Sequence, residues 1–322
     1  MDGDALPCAN CISSVLACLI LATTFVGSLY VWKSPHSRNH PSVIKQRFLS
    51  GFFMTFISPV FLWLFLPKEI LQKNSIPELL GFRLPGLIQA LVIPLLLTVI
   101  LFLGQVADAA FRGFKNIFSE KSSKTGNDQS WDGCETDPNL PNFTNASLPS
   151  DSDECRDFSE PQIWIWLRNY IVAPLSEEVI FRACMLPLLL TCFKPMAAVF
   201  ICPLFFGTAH FNRLAERVLA GVDFKHAFLF SFFQFIYTTI FGAYSAYLFV
   251  RTGHFVPSFL AHVFCNIMGL ADIMEIVSLP EPRRSITAAI FVIGFISWCY
   301  LLSPLTSPAL YSNNLFWAGS LS

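Results

Sequence analysis

Long apolar runs without a charged residue dominate this chain. They cover Cys11–Trp32, Phe48–Leu66, Leu84–Val106, Ala227–Val250, Phe255–Leu270 and Ile286–Leu302. A helix needs about 20 apolar residues to cross the hydrocarbon core, and most of these runs reach that length, Phe255–Leu270 falling slightly short. Two more segments are apolar but interrupted. Ile163–Phe193 carries Arg168, Glu177, Glu178 and Arg182, and Pro195–Phe211 ends beside His210. The pattern predicts an all-α, multi-pass membrane protein of about eight transmembrane helices, one of the short ones open to a re-entrant path.

Basic residues at the ends of the runs orient the array. Lys33, Arg38, Lys45 and Arg47 follow the first run with no acidic residue among them, which the positive-inside rule assigns to the cytosol. Alternation then makes cytosolic the groups Arg112, Lys115, Lys121 and Lys124, then Arg213, Arg217 and Lys225, then Arg283 and Arg284. Glu177, Glu178 and His210 fall near cytosolic helix ends, so a polar cavity at these residues opens to the cytosol. The opening residues Met1–Asp4 carry no basic group, so the first run is expected to remain as an anchor.

One hydrophilic stretch, residues 126–160, interrupts an otherwise single transmembrane domain spanning residues 1–322. It is acidic and rich in Asn, Ser, Asp and Pro, the composition of a flexible insertion. It holds the sequons at Asn142 and Asn145, which the charge argument places in the cytosol and therefore reads as chance matches. Composition agrees with the membrane reading: 54% of residues are hydrophobic, 13% are charged, and there are 34 Phe. A net charge of -1 gives nucleic acid nothing to bind. The ten cysteines show no zinc or disulfide framework and read as small apolar packing residues. Nucleotide-binding, zincin and serine-hydrolase motifs are absent.

Three polar islands remain inside the apolar segments, and ionisable groups there are costly unless they serve chemistry, transport or pairing. Glu178 and Arg182 stand i and i+4 on one helical face and can pair, whereas Glu177 points about 100° away and stays available. Phe206 stands one turn before His210, and His262 one turn before Asn266. If these converge on one wet cavity, Glu177 beside an imidazole can deprotonate water and later protonate a leaving amine. His262 and Asn266 could then stabilise an oxyanion. Peptide hydrolysis fits that set.

The motifs Glu177-Glu178-x-x-x-Arg182, Phe206-x-x-x-His210 and His262-x-x-x-Asn266 resemble, in order, those of the type II CAAX protease and abortive-infection (CPBP) family. The flanks Val26–Lys33, Phe181–Pro187, Cys202–Gly207, Phe241–Tyr244 and Arg251–His254 resemble its eukaryotic members. The likeness covers roughly residues 15–310 apart from the insertion. It implies a multi-pass protease of the endoplasmic-reticulum membrane, its site facing the cytosol and needing no cofactor. Its substrates would be farnesylated or geranylgeranylated CaaX proteins such as Ras-like GTPases, met in the lipid bilayer, from which it removes the C-terminal aaX tripeptide. By motif position Glu177 is the water-activating base, His210 its acid/base partner, and His262 and Asn266 the oxyanion stabilisers. Glu178 and Arg182 hold the helix, with Phe206 supporting.

Two other readings of the same residues stay open. Glu177, His210 and His262 are also a ligand set that could bind zinc. Membrane carboxylates also serve proton relays in transporters, and a member of such a family can act as a scaffold without cleaving.

Overall fold

The computed structural model describes residues 8–32, 34, 36, 38–123 and 160–316 of the chain. The insertion with Asn142 and Asn145, like Lys33 and Lys124, lies outside the described residues. Among the described residues there is no strand, and most are helical. Among the described residues five helices are long and apolar enough to cross a membrane: Cys11–Ser28, Pro41–Phe65, Pro195–Leu219, Phe224–Thr252 and Arg283–Leu305. The pair Leu87–Leu101 and Leu103–Gly113, bent by 77°, could supply a sixth. The run expected as one straight span over Leu84–Val106 is therefore broken at Phe102. Phe255–Met268 is a shorter apolar helix.

The surface of the second helix shows why it sits in lipid. Ser50, Gly51 and Ser58 are buried, while Phe52, Phe53, Phe56, Trp63 and Leu64 stand outside. A soluble helix does the reverse; in a bilayer, small residues let helices approach and large apolar ones meet acyl chains. Ser50 links the first two helices, donating to the Ser28 carbonyl at 2.8 Å and accepting from the Trp32 indole at 2.8 Å.

The chain forms two compact units. The first comprises residues 1–96, 158–264 and 302–322, the second 97–157 and 265–301. At the heart of the first unit runs an unbroken helix made of Glu160–Leu167, Arg168–Val172, Ala173–Glu178, Val179–Cys184 and Met185–Leu190. Arg168–Val172 and Val179–Cys184 are π-helical turns. Such turns are rare and cluster at functional sites. The first helix packs against the second, against Met185–Leu190 and against Pro195–Ala209, which in turn lies along Phe224–Thr252. Their shared core includes Leu21, Phe25, Ile180, Phe181, Met185 and Phe249. Edge-on ring contacts run from Phe25 to Phe181 at 5.9 Å and from Phe181 to Phe206 at 5.1 Å. Cysteines take part as small core groups: the buried Cys202 thiol donates to the Phe181 carbonyl at 2.8 Å.

Within the second unit a charge cluster ties its helices together. Asp108 accepts from Arg112 at 2.7 Å and from Arg283 at 2.7 Å, and Arg112 also pairs with Glu275.

Candidate active site

Close packing of two helices sets the site. Gly207 and Gly242 let Pro195–Ala209 and Phe224–Thr252 approach: a Cβ on Gly207 would lie 2.2 Å from Thr239 Oγ1, and one on Gly242 would lie 2.9 Å from Pro203 Cβ and 3.2 Å from Arg182 Nη2. Phe206 and Phe241 thereby stand close to the guanidinium of Arg182 on the glutamate helix.

Glu178 is the hub. Its side chain is fully buried, and Oε1 accepts from His262 Nδ1 at 2.7 Å and pairs with Arg182 Nη1 at 3.2 Å. Its other oxygen accepts from Ser245 Oγ at 2.7 Å. Ser258 Oγ in turn donates to the Ser245 carbonyl at 2.9 Å, fixing the next helix to this one. Both oxygens of Glu178 are thus committed. Arg182, 1% exposed, meets Glu178 as an ion pair without hydrogen-bond alignment, and its buried nitrogens have no hydrogen-bond partner among the described residues. Its guanidinium instead stacks over Phe206 at 4.2 Å and reaches Phe241 at 5.8 Å, contacts worth about 2 kcal/mol or more when desolvated.

Glu177 is placed differently. Its side chain keeps 20% of its exposure, and Oε2 lies 3.7 Å from His262 Nε2, within ion-pair range but beyond a hydrogen bond. His262 therefore stands between the two carboxylates, Nδ1 on Glu178 and Nε2 toward Glu177. An ionised carboxylate can only accept, so Nδ1 carries a proton and the second nitrogen faces Glu177. Phe241 and Phe206 flank the ring at 4.8 Å and 6.2 Å.

His210 ends the helix Pro195–Ala209, its ring edge-on to Phe206 at 4.8 Å. Its Nδ1 lies 2.8 Å from the Phe206 carbonyl. A carbonyl also only accepts, so Nδ1 is the protonated nitrogen and Nε2 offers a lone pair. Glu177 and His262 are both close enough for their charges to act on this ring. Asn266 follows His262 by one turn on Phe255–Met268, but belongs to the second unit.

The structure thus gathers Glu177, Glu178, Arg182, Phe206, His210 and His262 in the first unit. Ser245 and Phe241 join them, and sequence reasoning gave neither a role. Ser245 had no signal beyond its place among small residues on Phe224–Thr252. Among the described residues, no three His, Cys, Asp or Glu side chains are arranged to hold a metal ion.

Just before Glu177 a groove of about 570 Å³ opens between the second helix and the glutamate helix, lined by Phe48, Phe52, Phe56, Trp164, Val172 and Leu175. Lys45 lies at its edge, 4.5 Å over the Trp164 ring.

Residues 159–268, which contain all three motifs, match the family described as type II CAAX prenyl endopeptidase Rce1-like. The chain is similar to CAAX prenyl protease 2 of Homo sapiens, 40% identical over 97% of this chain and 86% of that protein. It is also similar to the proteins of that name from Rattus norvegicus, 35% identical over 94% and 83% of the two chains, and from Arabidopsis thaliana, 31% identical over 97% and 94%. No solved structure matches the chain.

Proposed function

Since the chain belongs to the type II CAAX prenyl endopeptidase Rce1-like family, we propose that its CAAX endopeptidase activity runs on a water molecule activated by Glu177 and His210. The observation that carries this is the division between the carboxylates: Glu178 has both oxygens occupied by Arg182, His262 and Ser245, whereas Glu177 is partly exposed and faces the His262 imidazole.

Water held between Glu177 and His210 Nε2 loses a proton to the base as its oxygen attacks the carbonyl carbon of the prenylated cysteine. Negative charge develops on the carbonyl oxygen, and His262, its Nδ1 held by Glu178, stabilises it through Nε2–H when the ring carries a second proton, one such donor being worth about 2.7–4 kcal/mol of barrier. Collapse of the tetrahedral intermediate breaks the C–N bond, and the proton passes to the departing amine. The products are a prenylcysteine with a free carboxylate and the aaX tripeptide. Glu178 acts through others: it orients His262 from Nδ1 and neutralises Arg182.

The prenyl chain would lie in the apolar groove beside Leu175 and Ser176, where each buried CH₂ contributes about 0.8 kcal/mol. Cytosolic access to the site, residence in the endoplasmic reticulum and Ras-like substrates belong to the same reading, the orientation being supported by the basic stretch Arg38 to Arg47 and by Arg213 and Arg217 at the end of the helix Pro195–Leu219. Incubating the purified protein with a farnesylated CaaX peptide should release the tripeptide, detected by mass spectrometry. An intact peptide after prolonged incubation refutes the activity. Turnover that is abolished by a chelator and restored by zinc refutes the metal-free mechanism.

A further inference from the structure

Just beyond His210 the first unit gathers several arginines: Arg38, Arg47 and Arg217 around the Glu216 carboxylate, and Arg168 and Arg213 around Arg38. Glu216 accepts from the Tyr30 hydroxyl at 2.7 Å and from Arg47 at 3.1 Å. Arg168 is spent on the Arg38 carbonyl at 3.4 Å and Asn39 Oδ1 at 3.0 Å. Arg217 is spent on Ser231 Oγ at 2.7 Å and Gln234 Oε1 at 3.1 Å. Arg38 keeps a buried Nε with no hydrogen-bond partner among the described residues. Burial, followed by repulsion from Arg213 and Arg168, pushes the Arg38 guanidinium down to about 10. Glu216 offsets one of these charges, so the cluster is left with an excess of positive charge and an unmet donor. An anion supplies what it lacks.

This cluster lies next to the reaction centre. The Arg213 amide donates to the His210 carbonyl at 3.2 Å, and the Arg213 charge acts on the His210 ring. The substrate, on the reading above, ends three residues past the scissile bond, and three extended residues span about 10 Å. A peptide with its scissile carbonyl at Glu177 and His210 would reach this distance from the centre with a single charged group, its terminal carboxylate.

Resting on that reading, we propose that Arg38 and Arg213 form a subsite that binds the free C-terminal carboxylate of the substrate's aaX tripeptide. Arg47 and Arg168 hold the loop and Glu216 in place around it. The subsite works as a ruler: by holding the chain end it sets the cut three residues back, and a longer or blocked end cannot pair there.

The test compares one farnesylated CaaX peptide ending in a carboxylate with the same peptide ending in a carboxamide, using the full chain in neutral phosphatidylcholine nanodiscs. The expected wild-type kcat/KM is roughly tenfold to a hundredfold higher for the acid, mainly through KM, the range of a charge-assisted pair. Arg38→Gln and Arg213→Gln should bring the acid-to-amide ratio close to one. Arg38→Lys and Arg213→Lys, which keep the charge, should retain part of it and cover the case of a Gln variant that does not fold. Equal cleavage of both peptides by wild type overturns the subsite and leaves the protease reading intact. Cleavage of neither refutes the protease reading itself. A wild-type preference that survives in all four variants puts the carboxylate elsewhere and overturns the assignment. So does a ratio of one combined with an Arg38- and Arg213-dependent requirement for phosphatidylserine, which would make a lipid headgroup the anion.

Discussion

Replacing Glu178 by Gln removes a charge from a fully buried site. Glu178 is fully buried and Arg182 is 1% exposed, so Glu178→Gln leaves a guanidinium unpaired in a low-dielectric setting, while Arg182→Met leaves the carboxylate short of its cation. Breaking one side of such a pair costs about 3–5 kcal/mol, because the survivor keeps its desolvation penalty without compensation. The Arg182 variant also loses the stacking on Phe206 and Phe241, which puts it toward the upper end. For a chain of this length that loss corresponds to roughly 5–15 °C in Tm. Thermal unfolding in detergent of both single variants and the double variant closes the cycle. The double variant should recover at least about 1 kcal/mol of the summed losses, since the partners touch. A carboxamide oxygen can still accept from His262 Nδ1, so Glu178→Gln should keep measurable peptide cleavage. If Glu178→Gln melts like wild type and is inactive, the two glutamates act together on the water and the division of roles proposed here is wrong.

Glu177→Ala and His210→Ala should each lower kcat by about 10²–10⁴-fold while unfolding near the wild-type temperature, because these side chains move protons rather than fill space; near-normal tripeptide release by either variant would count against the assignment. Gly242→Ala should cost about 1–3 kcal/mol by overpacking against Pro203 and should reduce turnover by displacing Arg182; a melt and rate equal to wild type would show that the helices can part without effect. A cysteine placed at residues 126–160 should react with an impermeant maleimide in intact, cytosol-side-out microsomes. A glycosidase-sensitive mass shift lost in Asn142→Gln with Asn145→Gln would reverse the orientation.

The membrane architecture was legible because burial from water in a bilayer needs only apolar length, and charge-free runs such as Cys11–Trp32 and Ala227–Val250 report length directly. The Glu178–Arg182 pair was legible for a similar reason: a spacing of four on any helix-like turn brings side chains together. The π-helical turns at Arg168–Val172 and Val179–Cys184 were not legible, since they arise where packing against neighbouring helices outweighs the local preference for α geometry. Nor was the place of His262. Its spacing to Asn266 suggested a donor pair aimed at substrate, yet the ring is first held by Glu178, a contact between residues 84 positions apart. Ser245 could not be singled out at all. A serine among small residues in an apolar helix most often donates to its own backbone, and only the tertiary approach of the glutamate helix gives its hydroxyl another acceptor.

The way Glu178 is satisfied also sets the order in which the protein can be made. Ser245 lies 67 residues after Glu178 and His262 84 residues after it, so at ribosomal rates of about 5–20 residues per second the glutamate helix waits several seconds for them. During that interval Arg182, one turn away on the same helix, is the partner already synthesised. The local ion pair acts as a built-in escort, offsetting the charge of Glu178 until the later helices arrive. A nascent chain stopped before Ser245 would hold that segment in the bilayer on the strength of one imperfectly aligned pair, which makes it a natural point for membrane quality control to distinguish unfinished chains from finished ones.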